Sequence, residues 1–272
     1  MSYGSINHRR LTAGLELLAA AVLEELLPQG ATGKAAVAAA WFRFPYVIRR
    51  EIKQIMRRGY TKNEAIAFAL SYELGGGACK TCAAPDKDGT YRLLRVLEWS
   101  LSDTVRDSVE WQELSPGVIG RVYPGYPGVL TGTRATGESV AMNLSPDWGN
   151  NINYKGLPVA WLIRKSLVSG GRLLKNLLEC GPVVQPAWAI VKEDRAAYTV
   201  KFETSGKHFI MDAVANGEPL LIQNDWECDP ELRSDMAAWI ANNNNELVHA
   251  VPLEELPDRA NQSSIAVDAV VM

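Results

Sequence analysis

A basic excess is missing from this chain. Its 28 lysines and arginines are outnumbered by 31 aspartates and glutamates, for a net charge of -3. A nucleic-acid binder would carry the opposite balance. A long apolar run near the start is missing too. The stretch from Leu17 to Leu23 is flanked by Glu16 and by Glu24-Glu25, too short and too acidic to span a bilayer. It also lacks a small-residue cleavage pattern, so no secretory signal is expected there. Cysteine is sparse. Cys79, Cys82, Cys180 and Cys228 do not make a disulfide scaffold for 272 residues, and a reducing compartment is the default expectation. No GxSxG occurs, which leaves a serine hydrolase of the nucleophile-elbow type unsupported. His8, His208 and His249 show no ligand spacing with the cysteines, so a zinc site is not indicated.

What is present suits a globular enzyme: 47% apolar and 22% charged residues, in a chain long enough to bury a full core. The first 78 residues read as mostly helical. Leu11, Leu15, Leu18, Val22 and Leu26 recur at helical spacing before Pro28. A second helical region over 35–58 is kinked or restarted at Pro45. Thr61-Lys-Asn-Glu64 is a capping box that opens a third helix through Leu74. From Cys79 onward short β-like runs dominate, at 90–99, 118–123, 127–132, 138–144, 187–192, 197–203 and 219–223. Helices are expected over 158–178 and 230–241. Strands enclosed by helices point to a layered α+β domain over 79–272, preceded by a helical segment over 1–78.

Cys79 draws attention through its surroundings. Gly75-Gly76-Gly77-Ala78 precedes it, and the turn signal Pro85-Asp86-Lys87-Asp88-Gly89 follows. That turn separates two apolar runs, a hairpin signature. For any short loop the partner of Cys79 falls at about residues 95 to 98, so the turn alone brings Arg95 and Glu98 near the cysteine. Their spacing of three puts them on opposite faces of an ideal strand. If both serve one site, one of them sits at a bulge or past the strand end. The residue types make chemical sense together. A guanidinium stabilises a thiolate and stays charged at any working pH. A carboxylate can hold the arginine and a new α-amine, and that amine can act as base for its own side chain.

Cys79, Arg95 and Glu98, sixteen and then three residues apart, have the spacing of the acid ceramidase and N-acylethanolamine acid amidase family. That family belongs to the choloylglycine-hydrolase branch of the N-terminal-nucleophile hydrolases. Its pattern is Cys-Thr-Ser-Ile-Val-Ala-x-Asp-x-x-Gly, then Arg-Asn-Leu-Asp and an aromatic residue. The chain has Cys79-Lys-Thr-Cys-Ala-Ala-Pro-Asp86-Lys-Asp-Gly89, then Arg95-Val-Leu-Glu98-Trp99. Pro124-Gly-Tyr-Pro-Gly-Val-Leu-Thr-Gly-Thr-Arg134 resembles a further family stretch. So do Ser139-Val-Ala-Met-Asn143, Pro158-Val-Ala-Trp-Leu-Ile-Arg164, Ile222-Gln-Asn224-Asp225-Trp226 and the terminal Val270-Val271-Met272. The resemblance runs in order from about residue 60 to the end. Glu98 stands where the family has aspartate, and Lys80 where it has a small residue. Asn224 lacks the preceding threonine and following tyrosine.

The resemblance implies a four-layer αββα sandwich made as a precursor. Cys79 would be the nucleophile, and its freed α-amine the base. Arg95 and Glu98 would organise amine and thiolate. Asn224 would hold the oxyanion and Asn143 line the site, with Arg233 matched to a late family arginine by rough position. Cleavage before Cys79 would give an α/β heterodimer. The implied substrate is an N-acyl lipid amide of the N-acylethanolamine or ceramide type. Bile-salt or penicillin-like amides, or lipid binding without cleavage, stand as alternatives, the last motivated by Lys80 and Glu98. No metal or organic cofactor is implied. The resemblance points to lysosomes, whereas the lack of a visible signal segment points to cytoplasm. The basic amphipathic run 46–58 carries two readings. It is either a solvated helix face packed on the catalytic part or a surface that sits on anionic lipid.

Overall fold

A computed structural model describes residues 41–42, 44–70, 78–98, 109–122, 126–145, 147, 152–215, 217–223, 229–243, 249–250 and 266–271. The expected helix near 11–27, the glycine run 75–77, Asn224 and Cys228 lie outside the described residues.

Helix α1, Tyr46–Met56, starts directly after Pro45 and buries Ile48, Ile52 and Ile55. Proline fits that place because a helix start needs no amide donor. Helix α2, Lys62–Ala69, opens on the expected capping box. Thr61 Oγ1 accepts from the Glu64 amide, and the Glu64 carboxylate accepts from the Thr61 amide.

Two antiparallel sheets follow. Strands β1 (Ala78–Pro85) and β2 (Tyr91–Glu98) form the expected hairpin, closed by a turn with Gly89 at φ +82°. That backbone angle suits glycine and few other residues. Next come β3 (Glu110–Ser115), β4 (Val118–Val122), β5 (Thr131–Arg134) and β6 (Ser139–Leu144). Helices α3 (Val159–Val168) and α4 (Leu173–Leu178) precede β7 (Ala187–Lys192), β8 (Ala196–Phe202), β9 (Phe209–Ala215) and β10 (Leu220–Ile222). Helix α5 (Pro230–Asn242), β11 (His249–Ala250) and β12 (Ala266–Val271) end the chain. Among the described residues, one sheet has five strands in the order β10-β1-β2-β12-β11. The other has seven in simple sequence order from β3 to β9.

The layers follow from the side chains. On one face of the five-stranded sheet, Cys82, Ala84, Leu94 and Val96 pack with Leu232, Met236 and Ile240 of α5. On its other face Ala83, Tyr91 and Leu93 meet Ala141, Trp188, Ile190 and Ala197 of the seven-stranded sheet. The outer face of that second sheet carries α3, which touches β3, β4, β5 and β6. The chain is therefore an α+β protein of four layers, αββα, built on antiparallel sheets. The buried residues of α1 and α2 belong to the same continuous core cluster as Cys79 and Leu97.

Three departures from the sequence reading have local causes. The expected single helix over 158–178 breaks at Ser169-Gly170-Gly171, with Gly171 at φ +83°. The strand expected at 127–132 begins only at Thr131. Before it the chain crosses the start of α3, where the Val129 amide donates to the Ala160 carbonyl at 3.0 Å. Strands β3 and β9 were not expected. Both are edges of the seven-stranded sheet, and β9 is largely exposed, so neither has the alternation that marks a half-buried strand.

Arg134 holds the break in the helix together. Its guanidinium donates to the carbonyls of Leu167 (2.9 Å), Ser169 (2.6 Å) and Gly171 (2.6 Å) and to the Glu138 carboxylate (2.8 Å). These are carbonyls that a helix end leaves without internal partners. Replacing Arg134 with methionine removes every one of these bonds and leaves Glu138 without its cation. Urea unfolding of Arg134→Met should show a loss of about 3 kcal/mol or more. A midpoint unchanged from wild type would mean that the carbonyls are satisfied without the guanidinium.

Candidate active site

The hairpin register fixes the centre of the site. Cys79 pairs with Leu97, within the expected window, and Thr81 pairs with Arg95. Residues two apart share a face, so Cys79, Thr81, Arg95 and Leu97 all face the seven-stranded sheet. Arg95 is 1% exposed, yet its guanidinium is not idle. Nη2 donates to Cys79 Sγ at 3.0 Å, and Nε donates to the Met142 carbonyl at 3.2 Å.

Asn143 completes the cluster from β6. Its Nδ2 donates to the Cys79 carbonyl at 2.7 Å and to the Ile222 carbonyl at 3.4 Å. Its Oδ1 accepts from Thr81 Oγ1 at 2.7 Å. A fully buried side-chain amide demands such partners. Here the partners lie on β1 and β10, so one side chain on the second sheet ties two strands of the first. Thr81 was not singled out from sequence. No local signal marks it, because its partner lies 62 residues away.

Glu98 closes β2 opposite Ala78, where β12 shifts register between Ala266 and Asp268. It is still paired within the strand, and the irregularity lies on β12 opposite it. Asn224 lies outside the described residues. Arg233 is not brought to the cluster. It is exposed on α5, whose buried face covers the side of the five-stranded sheet away from Cys79.

The other described thiols, Cys82 and Cys180, do not compete for the chemistry. Cys82, three residues from Cys79, faces α5 on the opposite side of the strand. A CxxC pair on a straight strand cannot close on one metal or form a redox pair. Cys180 is half-buried, and burial pushes its thiol up to about 12, which keeps it protonated and inert near neutrality. Among the described residues no group of three or more histidine, cysteine or acidic side chains is placed to hold a metal ion.

Chemically, the cluster presents a thiol with a guanidinium on its sulfur and a fixed carbonyl on its own backbone. A guanidinium at sulfur stabilises the negative charge formed when a thiol reacts. The amide of Asn143 prevents the residue that carries the sulfur from shifting. These are the two requirements of a positioned nucleophile.

No protein-family model and no curated protein matches the sequence. A solved structure described as the Caenorhabditis elegans N-acylethanolamine-hydrolyzing acid amidase ortholog matches by shape. It does so with a TM-score of 0.48 and 17% identity, over 68% of this chain and 98% of that one. The chain is similar to that amidase. The four-layer fold stands on the packing and register described above.

The Asn143 bridge makes a sharp prediction. Asn143→Leu strands the Cys79 carbonyl and the Thr81 hydroxyl, and urea unfolding should show a loss of about 2–4 kcal/mol. Thr81→Val should cost less in the Asn143→Leu background than alone, because the pair is coupled. Simple additivity of the two changes would remove the bridge as a structural element.

Proposed function

We propose that the chain is a self-processing cysteine amidohydrolase whose nucleophile is Cys79. The observation that carries this reading is the 3.0 Å bond from Arg95 to a Cys79 sulfur that is 1% exposed. A thiol so buried can reach a bond of its own chain, but not an external amide. The adjacent bond is the peptide before it, at the very start of β1.

In the first reaction Sγ attacks the carbonyl carbon of Ala78. The adduct collapses with loss of the Cys79 nitrogen, which takes up a proton, and leaves a thioester. Water cleaves the thioester to an Ala78 carboxylate, a free thiol and a free α-amine. In the mature protein that amine takes the thiol proton, and the sulfur attacks a substrate amide. Arg95 stabilises the developing sulfur charge, and Asn143 keeps Cys79 in place. Asn224 and backbone amides are proposed to hold the oxyanion, as donors fixed where charge develops. The amine product leaves with the proton from the α-amino group, and water releases the carboxylic acid. Glu98 is proposed to orient the new amine. Arg233 is proposed for no catalytic step.

The substrate class rests on the ordered sequence resemblance around Cys79, Arg95 and Asn143. It makes the substrate an N-acyl lipid amide, cleaved to a fatty acid and an amine. Residues 1–78 would remain bound after the cut as the smaller subunit of a heterodimer. Support comes from the core that α1 and α2 share with Cys79 and Leu97.

Intact mass spectrometry at mildly acidic and neutral pH tests the reading. Wild type should split between Ala78 and Cys79, and Cys79→Ala should stay whole. Arg95→Met should cut at least about tenfold more slowly, since one charge-assisted hydrogen bond is lost. The split protein should then hydrolyse an N-acylethanolamine. A chain that stays whole under all conditions while binding such a lipid would turn the assignment to a binding protein.

Contact of α1 with anionic lipid is proposed alongside. Arg49, Arg50, Lys53 and Arg57 line one cavity with Trp41 and Tyr46, and Phe42 and Tyr46 are exposed beside it. Basic residues mixed with aromatic ones suit a lipid interface. Replacing Arg49, Arg50 and Lys53 with glutamine should weaken binding to anionic liposomes in co-sedimentation by about a hundredfold, at about 1 kcal/mol per lost charge. Equal sedimentation of variant and wild type would sink the membrane contact and leave the amidase reading intact.

A further inference from the structure

The end of the sandwich away from Cys79 holds a second cavity, of 470 Å³. Three hairpin turns converge there: Asp86 to Thr90 between β1 and β2, Gly117 between β3 and β4, and Ala135 to Gly137 between β5 and β6. Ile119, Thr133 and Ala135 supply apolar and hydroxyl walls. Gly117 and Gly137, at φ +73° and +88°, let the turns close without side chains in the opening. The volume lies within the range of about 300–1,000 Å³ common to small-molecule sites.

Lys192, the last residue of β7, lies on this cavity. It continues the row of Trp188 and Ile190, which face the five-stranded sheet. Only 6% of it is exposed, and no hydrogen bond or ion pair holds its ammonium among the described residues. An ammonium largely removed from water, with only the more distant charges of Asp194 and Asp86 to attract it, gains from a direct acceptor. The charges around it are committed elsewhere. Arg92 is bonded to Asp86 at 3.1 Å, and Asp86 also accepts from the Asp88 amide at 3.0 Å. Arg134 is bonded to Glu138 and to the carbonyls after α3. Asp194, beyond the strand end, is exposed beside Arg195. Burial, and then the neighbouring Arg92 guanidinium, lower the Lys192 pKa.

We propose that this cavity is a binding site for a monocarboxylate with a compact apolar body, its carboxylate on Lys192. One uncommitted cation calls for one negative charge. A dianionic phosphate would leave a surplus negative charge beside Asp86 and Asp88. A lone inorganic anion would leave most of the 470 Å³ unfilled. The carboxylate supplies the hydrogen-bond acceptor that the ammonium lacks, and the body covers Ile119 and Ala135. This site shares no residue with the Cys79 cluster, and it stands or falls independently of the amidase reading.

Sodium octanoate is the probe, titrated calorimetrically into the full chain. Wild type should bind it, and Lys192→Met should weaken binding by at least about tenfold, the loss expected when a buried charge-assisted hydrogen bond goes. Lys192→Arg should keep most of the affinity, and 1-octanol should bind wild type at least about tenfold more weakly than octanoate. Because the bound carboxylate favours the charged ammonium, wild-type binding should take up protons in alkaline buffer. The Lys192→Arg complex should not, since arginine stays protonated. If Lys192→Met fails to fold, the arginine variant, the octanol comparison and the proton uptake still decide. Equal binding by Lys192→Met, octanol as tight as octanoate, or inorganic phosphate displacing octanoate at equal concentration would each overturn the proposal.

Discussion

Two sheets packed face to face usually meet through apolar side chains alone. In this protein they are also pinned by Asn143. From β6 its amide reaches the Cys79 and Ile222 carbonyls, and its oxygen takes the Thr81 hydroxyl. Arg95 crosses the same gap in the other direction, to the Met142 carbonyl. The two contacts alternate along neighbouring residues, Met142 and Asn143, so a slip of one position in either sheet would break both. The geometry at the Cys79 sulfur therefore depends on the relative setting of the sheets, and the polar cross-links define that setting more narrowly than apolar packing can.

Between its two ends the intersheet layer is mostly apolar: Ala83, Leu93, Ala141 and Ile190 fill much of it. The charged side chains of Arg95 and Lys192 lie where β1 begins and where it turns. At the first end Arg95 is hydrogen-bonded to the Cys79 sulfur and the Met142 carbonyl. At the second, Lys192 has no such bond among the described residues. The contrast is physical rather than topological. A satisfied network rigidifies, while an orphaned charge leaves free energy available to a ligand.

How much of this could be read from the chain alone depends on separation in sequence. The hairpin was legible because its turn chemistry, Asp86 to Gly89, is local, and the turn sets the register of Cys79 against Leu97. The cap at Thr61 and the helix start after Pro45 were legible for the same reason. The two-sheet layering came from the resemblance and from the alternation of helix-like and strand-like runs. The coupling of Thr81 to Asn143 was not legible, because it spans 62 residues and neither residue type announces a cross-sheet bond. Nor was the burial of Lys192, a residue usually solvated. Arg134 sat inside a motif, but its work on the carbonyls after α3 depends on where Gly171 breaks the helix.

The alternation of β1 also bears on the residue beside Cys79, the proposed nucleophile. Lys80 takes the place of a small side chain in the pattern the sequence resembles, which invited the thought of a site spoiled by bulk and charge. In the hairpin Lys80 pairs with Val96, whose side chain packs under α5. Cys79 and Thr81 on either side of it face Asn143 instead. A lysine at 80 therefore alters the outer face of the sheet and leaves the sulfur's own surroundings to Arg95 and Asn143. Lys80 thus falls on the wrong side of the strand to block the proposed chemistry. Glu98 closes the neighbouring strand where β12 shifts register, and the role proposed for it rests on the sequence resemblance.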